Sequence, residues 1–259
     1  MGGTFRASGV AIDLDGTLLD TVADLTAAVN AMLADFGRPP LPESTVRSYV
    51  GKGARVLVHR ALSGSLDGRI DEPTADRGLA SFERHYAREN GRSATLFPQV
   101  VEGLAAMRAK GLRLACVTNK PQAFVDVLLA RAGLAGYFEL TIGGDVLPRS
   151  KPDPMQLHHV CERFGMAPSQ MVAIGDSLND AQAARAAGMP VMIVPYGYNE
   201  GRPVSTIDAD AVVGTLLEAA GRIDVPDSAG PGGGGPGTED DGGVGSADAG
   251  AGDGGGDGD

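Results

Sequence analysis

Short runs of apolar, often β-branched residues alternate with helical patterns along most of the chain. Runs of this kind predict strands at positions 10–14, 112–118, 140–143, 171–175 and 190–194. The segments between them predict helices at positions 100–110, 121–132, 154–164 and 180–187. Alternating strands and helices indicate an α/β fold, in which helices flank both faces of a Rossmann-like parallel sheet.

One long interval, between the first and second predicted strands, breaks this alternation. Its apolar residues follow helical spacing in four segments, at positions 25–36, 43–50, 54–62 and 79–86. Because this helical block leaves and re-enters at one edge of the sheet, it is expected to form a cap over that edge. The predicted division is an α/β core of residues 1–19 and 94–224, a helical cap of residues 20–93 and a tail of residues 225–259.

The predicted tail is rich in glycine and aspartate and has few bulky apolar side chains. Such a segment cannot bury enough apolar surface to offset its loss of conformational entropy, so it is expected to be disordered. It holds eight acidic residues and no basic ones, and the net charge of −11 falls to −3 without it. The nearly balanced remainder argues against a nucleic-acid partner, which requires clustered Lys and Arg.

The apolar runs, cysteines and histidines narrow the class of protein further. The sequence has no apolar run long enough to cross a membrane and no signal-peptide pattern near Met1, so a cytoplasmic protein without a membrane partner is expected. Monomer and homodimer both remain open. Cys116 and Cys161 lack metal-site spacing and are expected to be reduced core residues. The histidines match no metal-binding spacing either, and are interpreted as surface or packing residues: His59, His85, His158 and His159.

Side chains suited to phosphate chemistry follow four of the predicted strands. They are Asp13 and Asp15 after the first, Thr118 and Asn119 after the second, Lys151 after the third, and Asp176 and Asp180 after the fourth. Because ligands of open α/β sheets bind beyond the carboxyl ends of the strands, these groups are expected to share one site. Taken singly, each has an ordinary structural explanation: paired carboxylates can cap a turn, a threonine can cap a helix and a loop lysine can be solvated.

The order and spelling of these segments resemble the four motifs of the haloacid dehalogenase superfamily of phosphatases. The motifs are Asp13-Leu14-Asp15-Gly16-Thr17, Thr118-Asn119, Lys151-Pro152-Asp153-Pro154 and Gly175-Asp176-Ser177-Leu178-Asn179-Asp180. The resemblance covers about residues 9–200. A helical insertion between the first two motifs is the cap position used by one large subgroup of that superfamily. The resemblance thus implies a phosphatase with a capped α/β core.

A carboxylate nucleophile fits the chemistry independently of the resemblance. Phosphate monoesters hydrolyse slowly in water, because the anionic group repels nucleophiles and the alkoxide is a poor leaving group. Asp13 can divide the reaction into formation and breakdown of an aspartyl-phosphate, and Asp15 can then serve as the acid and the base. Two anions that approach each other need a cation between them. The resemblance implies Mg²⁺, held by Asp13, the backbone carbonyl of Asp15 and Asp176.

A lysine and a hydroxyl complete the predicted site. Lys151 is expected to compensate the charge of Asp13 and of the transferring phosphoryl group, while the Thr118 hydroxyl binds phosphate oxygens. Asp180 has two interpretations. It can orient Lys151 or a metal-bound water, or it can stabilise the N-terminus of the following helix.

The expected partner is a small-molecule phosphate ester. Three segments resemble the bacterial phosphoglycolate phosphatases: 12–20, 50–53 and 194–199. Asn119, Lys52 and Gly53 are the candidate substrate-binding residues, with Lys52 either pairing with the carboxylate of 2-phosphoglycolate or serving as a loop lysine between glycines. A related phosphatase acting on a sugar phosphate or pyrophosphate, a phosphomutase and a catalytically silent phosphate-binding module remain alternatives.

Overall fold

The computed structural model describes residues 3–226. Its strands are β1 (Phe5–Arg6), β2 (Gly9–Ile12), β3 (Leu19–Asp20), β4 (Thr95–Leu96), β5 (Arg113–Val117), β6 (Leu140–Ile142), β7 (Met171–Gly175), β8 (Val191–Ile193), β9 (Ala211–Val212) and β10 (Ile223–Asp224). Its α-helices are α1 (Val22–Asp35), α2 (Glu43–Tyr49), α3 (Ala54–Ser63), α4 (Glu72–Glu89), α5 (Val100–Ala109), α6 (Gln122–Arg131), α7 (Met155–Phe164), α8 (Leu178–Ala187) and α9 (Leu216–Gly221). Short 3-10 helices cover Ala135–Tyr137, Pro168–Gln170 and Val204–Thr206.

The central sheet has β2 near its middle. Within the described residues, six strands pair in parallel in the order β6-β5-β2-β7-β8-β9. Val10 lies opposite Leu114 of β5 on one side and Val172 of β7 on the other. The loops that follow β2, β5 and β7 therefore leave the sheet side by side at its carboxyl edge.

Apolar side chains fill both faces of this sheet. All four residues of β2 are buried, with Val10 and Ile12 in one core cluster and Ala11 in the opposite one. This division follows from the geometry of a strand, in which successive side chains point to opposite faces. The sheet is an α/β, Rossmann-like layer covered by helices, as the strand and helix pattern predicts.

All five predicted strands and all four predicted helices of the core are present, with ends that differ by at most two residues. The pattern did not predict β1, β3, β4, β9 or β10, each of which has only two residues. A two-residue strand is too short to show an alternation of apolar and polar positions, so these strands depend on pairing partners distant in sequence. In particular, β3 and β4 pair antiparallel where the chain leaves and re-enters the core.

Residues 20–93, here called the helical insertion, contain α1 to α4. Its apolar side chains form a cluster of their own, which includes Met32, Leu62 and Phe82. Tyr198, from the loop after β8, completes that cluster. The buried Asp24 carboxylate accepts hydrogen bonds from the backbone N–H groups of Gly91 (2.8 Å) and Ser93 (2.7 Å), which ties the beginning of the insertion to its end.

The acidic tail that the sequence predicts at 225–259 lies outside the described residues, apart from its first two positions. Across residues 3–226, no helix combines the length and the apolar character that crossing a membrane requires.

Candidate active site

The carboxyl edge of the sheet carries a cavity whose lower wall consists of the predicted site residues. Asp13 follows β2, Thr118 follows β5 and Asp176 follows β7, and all three line this cavity. Lys151, which comes before α7, lines it as well. The structure therefore brings these four predicted residues together, because β2 lies between β5 and β7 in the sheet.

Lys151 is the centre of a buried ion-pair network. Its Nζ atom lies 2.7 Å from Asp13 Oδ1, 2.6 Å from Asp180 Oδ1 and 2.8 Å from the carbonyl oxygen of Val117. An ammonium group has three N–H donors, so every donor of Lys151 has a partner. Burial alone lowers the pKa of Lys151, but Asp13 and Asp180 raise it above its usual value, and the side chain stays cationic.

Asp180 fulfils both interpretations made from the sequence. One carboxylate oxygen accepts the hydrogen bond from Lys151, while the other accepts bonds from the Ser177 backbone N–H (3.1 Å) and hydroxyl (2.6 Å). The second pair of bonds caps the N-terminus of α8. A rigid helix end thus holds Asp180, and Asp180 in turn orients Lys151.

Asp176 is seated by backbone and side-chain donors from two different loops. Its oxygens accept hydrogen bonds from the Thr17 hydroxyl at 2.9 Å and from the Tyr198 backbone N–H. A Cβ atom at Gly16 or at Gly197 would collide with this carboxylate, and Gly16 also has a φ of 91°. Both glycines are therefore required for the loops to close around Asp176.

Crowding of carboxylates raises their pKa values. Burial raises the pKa of Asp13 to about 6 against the opposing effect of Lys151, with Asp180 adding a further increase. Burial also raises the pKa of Asp176, and the charges of Asp13 and Asp180 raise it further. These buried carboxylates repel one another, and a cation bound between them would offset that repulsion.

The carboxylate oxygens are arranged so that a divalent cation fits. One oxygen from each of Asp13, Asp176 and Asp180 lies within 4.8 Å of the others. Hard oxygen donors of this type suit Mg²⁺, Ca²⁺ or Mn²⁺. The sequence assigned metal binding to Asp13, Asp15 and Asp176, whereas the third carboxylate of the cluster is Asp180. Asp15 was expected to contribute a backbone carbonyl, and its side chain faces elsewhere.

The Asp15 side chain contacts the opposite wall of the cavity. Strand β2 ends at Ile12, so Asp15 lies in the following loop, where its carboxylate accepts a 2.7 Å hydrogen bond from the Thr21 hydroxyl. Lys120 Nζ lies 3.1 Å and 3.3 Å from the two oxygens of Asp15 and also contacts the Tyr86 hydroxyl. Burial alone lowers the pKa of Lys120, but Asp15 and Tyr86 raise it above its usual value.

The upper wall comes from the helical insertion and is largely apolar. Among the described residues that line the cavity, those of the insertion are Leu25, Val50, Gly51, Gly53, Ala54, Leu57, Phe82 and Tyr86. The Tyr86 hydroxyl is the one polar side-chain group of that set. The cavity thus has a polar, charged floor and an apolar roof, which shields the floor from water.

The loop before α3 rests on the core through two amides. Asn119 Nδ2 donates to the carbonyl oxygens of Gly51 (3.1 Å) and Lys151 (2.8 Å), and Asn179 Nδ2 donates to the same Gly51 oxygen at 3.1 Å. Both N–H donors of Asn119, a predicted substrate-binding residue, therefore hold loops in place. Gly53, another predicted substrate-binding residue, lines the cavity beside Asn119 with a φ of 84°.

Lys52 has a position that differs from the sequence prediction. Its Nζ atom lies 3.0 Å from Glu200 Oε1, and its side chain is absent from the lining of the main cavity within the described part of the chain. Glu200 also pairs with the buried Arg60 of α3 at 2.6 Å. Through this pair with Glu200, Lys52 joins the insertion to the loop after β8.

Three side chains of the site escaped the sequence-based prediction: Lys120, Tyr86 and Tyr198. Lys120 directly follows the Thr118-Asn119 pair, and its place at a strand end was the signal that could have identified it. Tyr86 belongs to the apolar pattern of α4 and looks like a core residue. Its hydroxyl gains a role only when α4 lies over the sheet.

Comparison with known proteins agrees with this geometry. A model of the haloacid dehalogenase-like hydrolases matches residues 7–188. The chain belongs to the haloacid dehalogenase-like hydrolases. It is therefore an enzyme, a hydrolase of this family.

Relatives within this hydrolase family share most of their length with the chain. A phosphoglycolate phosphatase of Nitrosospira multiformis is 54% identical over 210 residues, which are 81% of this chain and 92% of that protein. A phosphoglycolate phosphatase of Thiobacillus denitrificans is 51% identical over 211 residues, covering 82% and 93%. The crystal structure of a predicted phosphoglycolate phosphatase from Haemophilus somnus superposes with a TM-score of 0.78 at 33% identity, covering 84% of this chain and 98% of that one.

Proposed function

We propose that this protein hydrolyses 2-phosphoglycolate to glycolate and inorganic phosphate, with Mg²⁺ as cofactor and Asp13 as the nucleophile. The contact of 2.7 Å between Lys151 and Asp13 is the main support, because it places a cation against a carboxylate that faces the cavity. The names of the two most similar relatives reported above support the choice of substrate.

In the first half-reaction, Asp13 Oδ attacks phosphorus while the bond from phosphorus to the glycolate oxygen breaks. Asp15 donates its proton to that oxygen, so glycolate leaves as the alcohol and Asp13 carries the phosphoryl group. The Thr118 hydroxyl binds a phosphoryl oxygen during the transfer, while the charge of Lys151 offsets the negative charge at Asp13 and on the phosphoryl group. When bound, Mg²⁺ neutralises charge between the phosphoryl group and the carboxylates of Asp13 and Asp176.

In the second half-reaction, Asp15 takes a proton from water as the water oxygen attacks phosphorus. The bond between phosphorus and Asp13 breaks, inorganic phosphate forms and Asp13 returns to its carboxylate form. The proton from water replaces the one that left Asp15 with glycolate, so the cycle balances. The apolar roof supports this scheme because it limits the access of bulk water to the floor.

The roof also supports a small leaving group in preference to a sugar. A sugar phosphate brings several hydroxyls that need hydrogen-bond partners. Among the described residues of the insertion that line the cavity, Tyr86 has the one polar side-chain group. We further propose that residues 20–93 act as a cap, opening to admit substrate and closing for the reaction.

The test is kcat/KM for 2-phosphoglycolate, glucose 6-phosphate and pyrophosphate, each with Mg²⁺ and with a chelator. We expect 2-phosphoglycolate to be preferred and the chelator to remove phosphate release. Asp13→Asn should lower phosphate release by at least about 10⁴-fold while the thermal unfolding transition stays cooperative. A preference for a sugar phosphate would overturn the proposed substrate. Turnover in the presence of chelator would overturn the proposed dependence on Mg²⁺.

A further inference from the structure

Two ammonium groups line the cavity in the described part of the chain, and they differ in the number of carboxylates that lie against them. Lys151 has three partners for its three N–H donors. Lys120 Nζ has one carboxylate partner, Asp15, and one hydroxyl partner, Tyr86. Lys120 therefore faces one carboxylate where Lys151 faces two, and it loses that single counter-charge when Asp15 holds the proton for the leaving group.

The Tyr86 hydroxyl has a spare donor at the same place. Its oxygen accepts the hydrogen bond from Lys120, and no described residue accepts the hydrogen of this hydroxyl. The ring is buried and held by two aromatic neighbours, stacked on Phe82 at 5.3 Å between centroids and edge-on to Phe124 at 5.0 Å. The spare O–H is therefore fixed beside the ammonium group of Lys120.

These two donors lie on the leaving-group side of the cavity. Lys120 contacts Asp15, which gives its proton to the leaving oxygen, whereas Lys151 contacts Asp13, which takes the phosphoryl group. A carboxylate one carbon away from the leaving oxygen would therefore lie on the side of Lys120, which contacts the proton donor, and away from the nucleophile that Lys151 contacts. Cation and hydroxyl donors side by side match the two oxygens of a carboxylate.

We propose that Lys120 and Tyr86 together bind the carboxylate of the leaving group and so set the preference for 2-phosphoglycolate. This inference rests on the proposed function and assigns its substrate selectivity to one cation of the core and one hydroxyl of the helical insertion. A neutral leaving group leaves the buried donors without an acceptor, which penalises esters that lack the carboxylate. Because the two donors come from different parts of the chain, the substrate carboxylate also joins those parts.

The test compares 2-phosphoglycolate with its amide, in which a neutral carboxamide of similar size replaces the carboxylate. The selectivity is the ratio of kcat/KM for the acid to that for the amide. Lys120→Met should reduce this ratio by about 10- to 100-fold, mainly through KM, and Tyr86→Phe should reduce it by about 3- to 10-fold. Lys120→Arg, which keeps the charge, should retain part of the selectivity.

Lys52→Met is the matched lysine variant. Lys52 pairs with Glu200 outside the cavity lining, so its loss should affect both substrates alike and leave the selectivity ratio unchanged. An effect of Lys120→Met on Asp15 would lower turnover of both substrates, and the ratio removes that contribution. If Lys120→Met fails to fold, the ratios for Tyr86→Phe and Lys120→Arg decide the question.

The outcomes separate the two proposals. If the wild-type protein does not hydrolyse 2-phosphoglycolate, the proposed function is wrong. If it hydrolyses the acid and the amide equally well, the proposed function stands and carboxylate binding by Lys120 and Tyr86 is wrong. If the wild-type protein prefers the acid and both Lys120→Met and Tyr86→Phe keep that preference, the assignment of Lys120 and Tyr86 is wrong while the proposed function stands. Loss of the preference in Lys52→Met alone would move the assignment to Lys52.

Discussion

The hydroxyl of Tyr198 donates a 2.6 Å hydrogen bond to Asp20 Oδ1. The same hydroxyl oxygen accepts hydrogen bonds from the backbone N–H groups of Thr21 at 2.8 Å and Val22 at 3.1 Å, at the start of α1. Its backbone N–H binds Asp176. One residue of the loop after β8 therefore holds both a carboxylate of the candidate metal site and the point where the chain enters the helical insertion.

Tyr198→Phe is expected to lower the free energy of unfolding by about 1–3 kcal/mol, because it leaves the buried Thr21 N–H without its acceptor and Asp20 Oδ1 without the Tyr198 hydroxyl. Urea denaturation measures the change. Tyr196→Phe is the matched control, because the Tyr196 hydroxyl makes a single hydrogen bond, of 3.1 Å, to the Thr17 carbonyl oxygen. This variant should lower the free energy of unfolding by less than Tyr198→Phe does. Equal losses in the two variants would contradict the importance of the Tyr198 contacts.

Asp15→Asn is expected to lower kcat for 2-phosphoglycolate by about 10²- to 10⁴-fold, because the leaving alkoxide loses its proton donor. With p-nitrophenyl phosphate, whose leaving group needs no proton, the first half-reaction should survive. Rapid mixing should then reveal a burst of p-nitrophenol followed by slow turnover, since the second half-reaction still lacks its base. A burst that disappears together with turnover would argue against the acid and base role of Asp15.

Lys151→Met is expected to lower the free energy of unfolding by about 3–5 kcal/mol, because it leaves the buried carboxylates of Asp13 and Asp180 without their counter-charge. Adding Asp180→Asn to that variant removes one of the two charges and should recover part of the loss. Urea denaturation of the single and double variants in chelator measures both effects. A double variant that is less stable than the single one would contradict the ion-pair network as the cause.

Binding of Mg²⁺ is expected to weaken as the pH falls through about 6. Burial raises the pKa of Asp13 from 3.8 to about 6, so the folded protein binds this proton more tightly than the unfolded chain does. In metal-free protein, the stabilisation by this proton is complete below pH 3.8 and is lost as the pH rises through about 6. Protons and Mg²⁺ compete for the same carboxylates, so affinity should fall by roughly tenfold per pH unit below that value.

The rise in Tm on adding Mg²⁺ measures this competition at pH 5 and pH 7.5. The rise should be large at the higher pH and small at the lower one. Asp13→Asn removes one of the two carboxylates of the candidate metal site whose pKa is raised, the other being Asp176, and should weaken the dependence. A rise in Tm that is the same at both pH values in the wild-type protein would contradict competition at Asp13.

Much of the core could be predicted because its signals are local. The run from Val10 to Ile12 is apolar at every position, as a strand buried on both faces must be, and the residue after it is Asp13. Parallel strands share one carboxyl edge, so a local reading of strand ends was enough to expect Asp13, Thr118, Lys151 and Asp176 at one site.

The helical insertion was predictable as helices, but not in its contacts. Spacing of apolar residues in α4 identifies the face that Phe82 and Tyr86 share. It carries no information on which part of the core lies under that face. The contact between Tyr86 and Lys120 joins residues 34 positions apart, and it depends on how α4 packs over the sheet.

The sequence by itself determined the order of strands and helices, the place of the insertion and the residues at the strand ends, because hydrophobic periodicity and strand-end position are properties of neighbouring residues. Only the tertiary structure decided the partner of each charged side chain. Lys52 pairs with Glu200, and Lys120 pairs with Asp15 at the cavity. The physical reason is that an ion pair depends on a separation of a few ångströms in space, which residues distant in the chain acquire only when the fold brings them together.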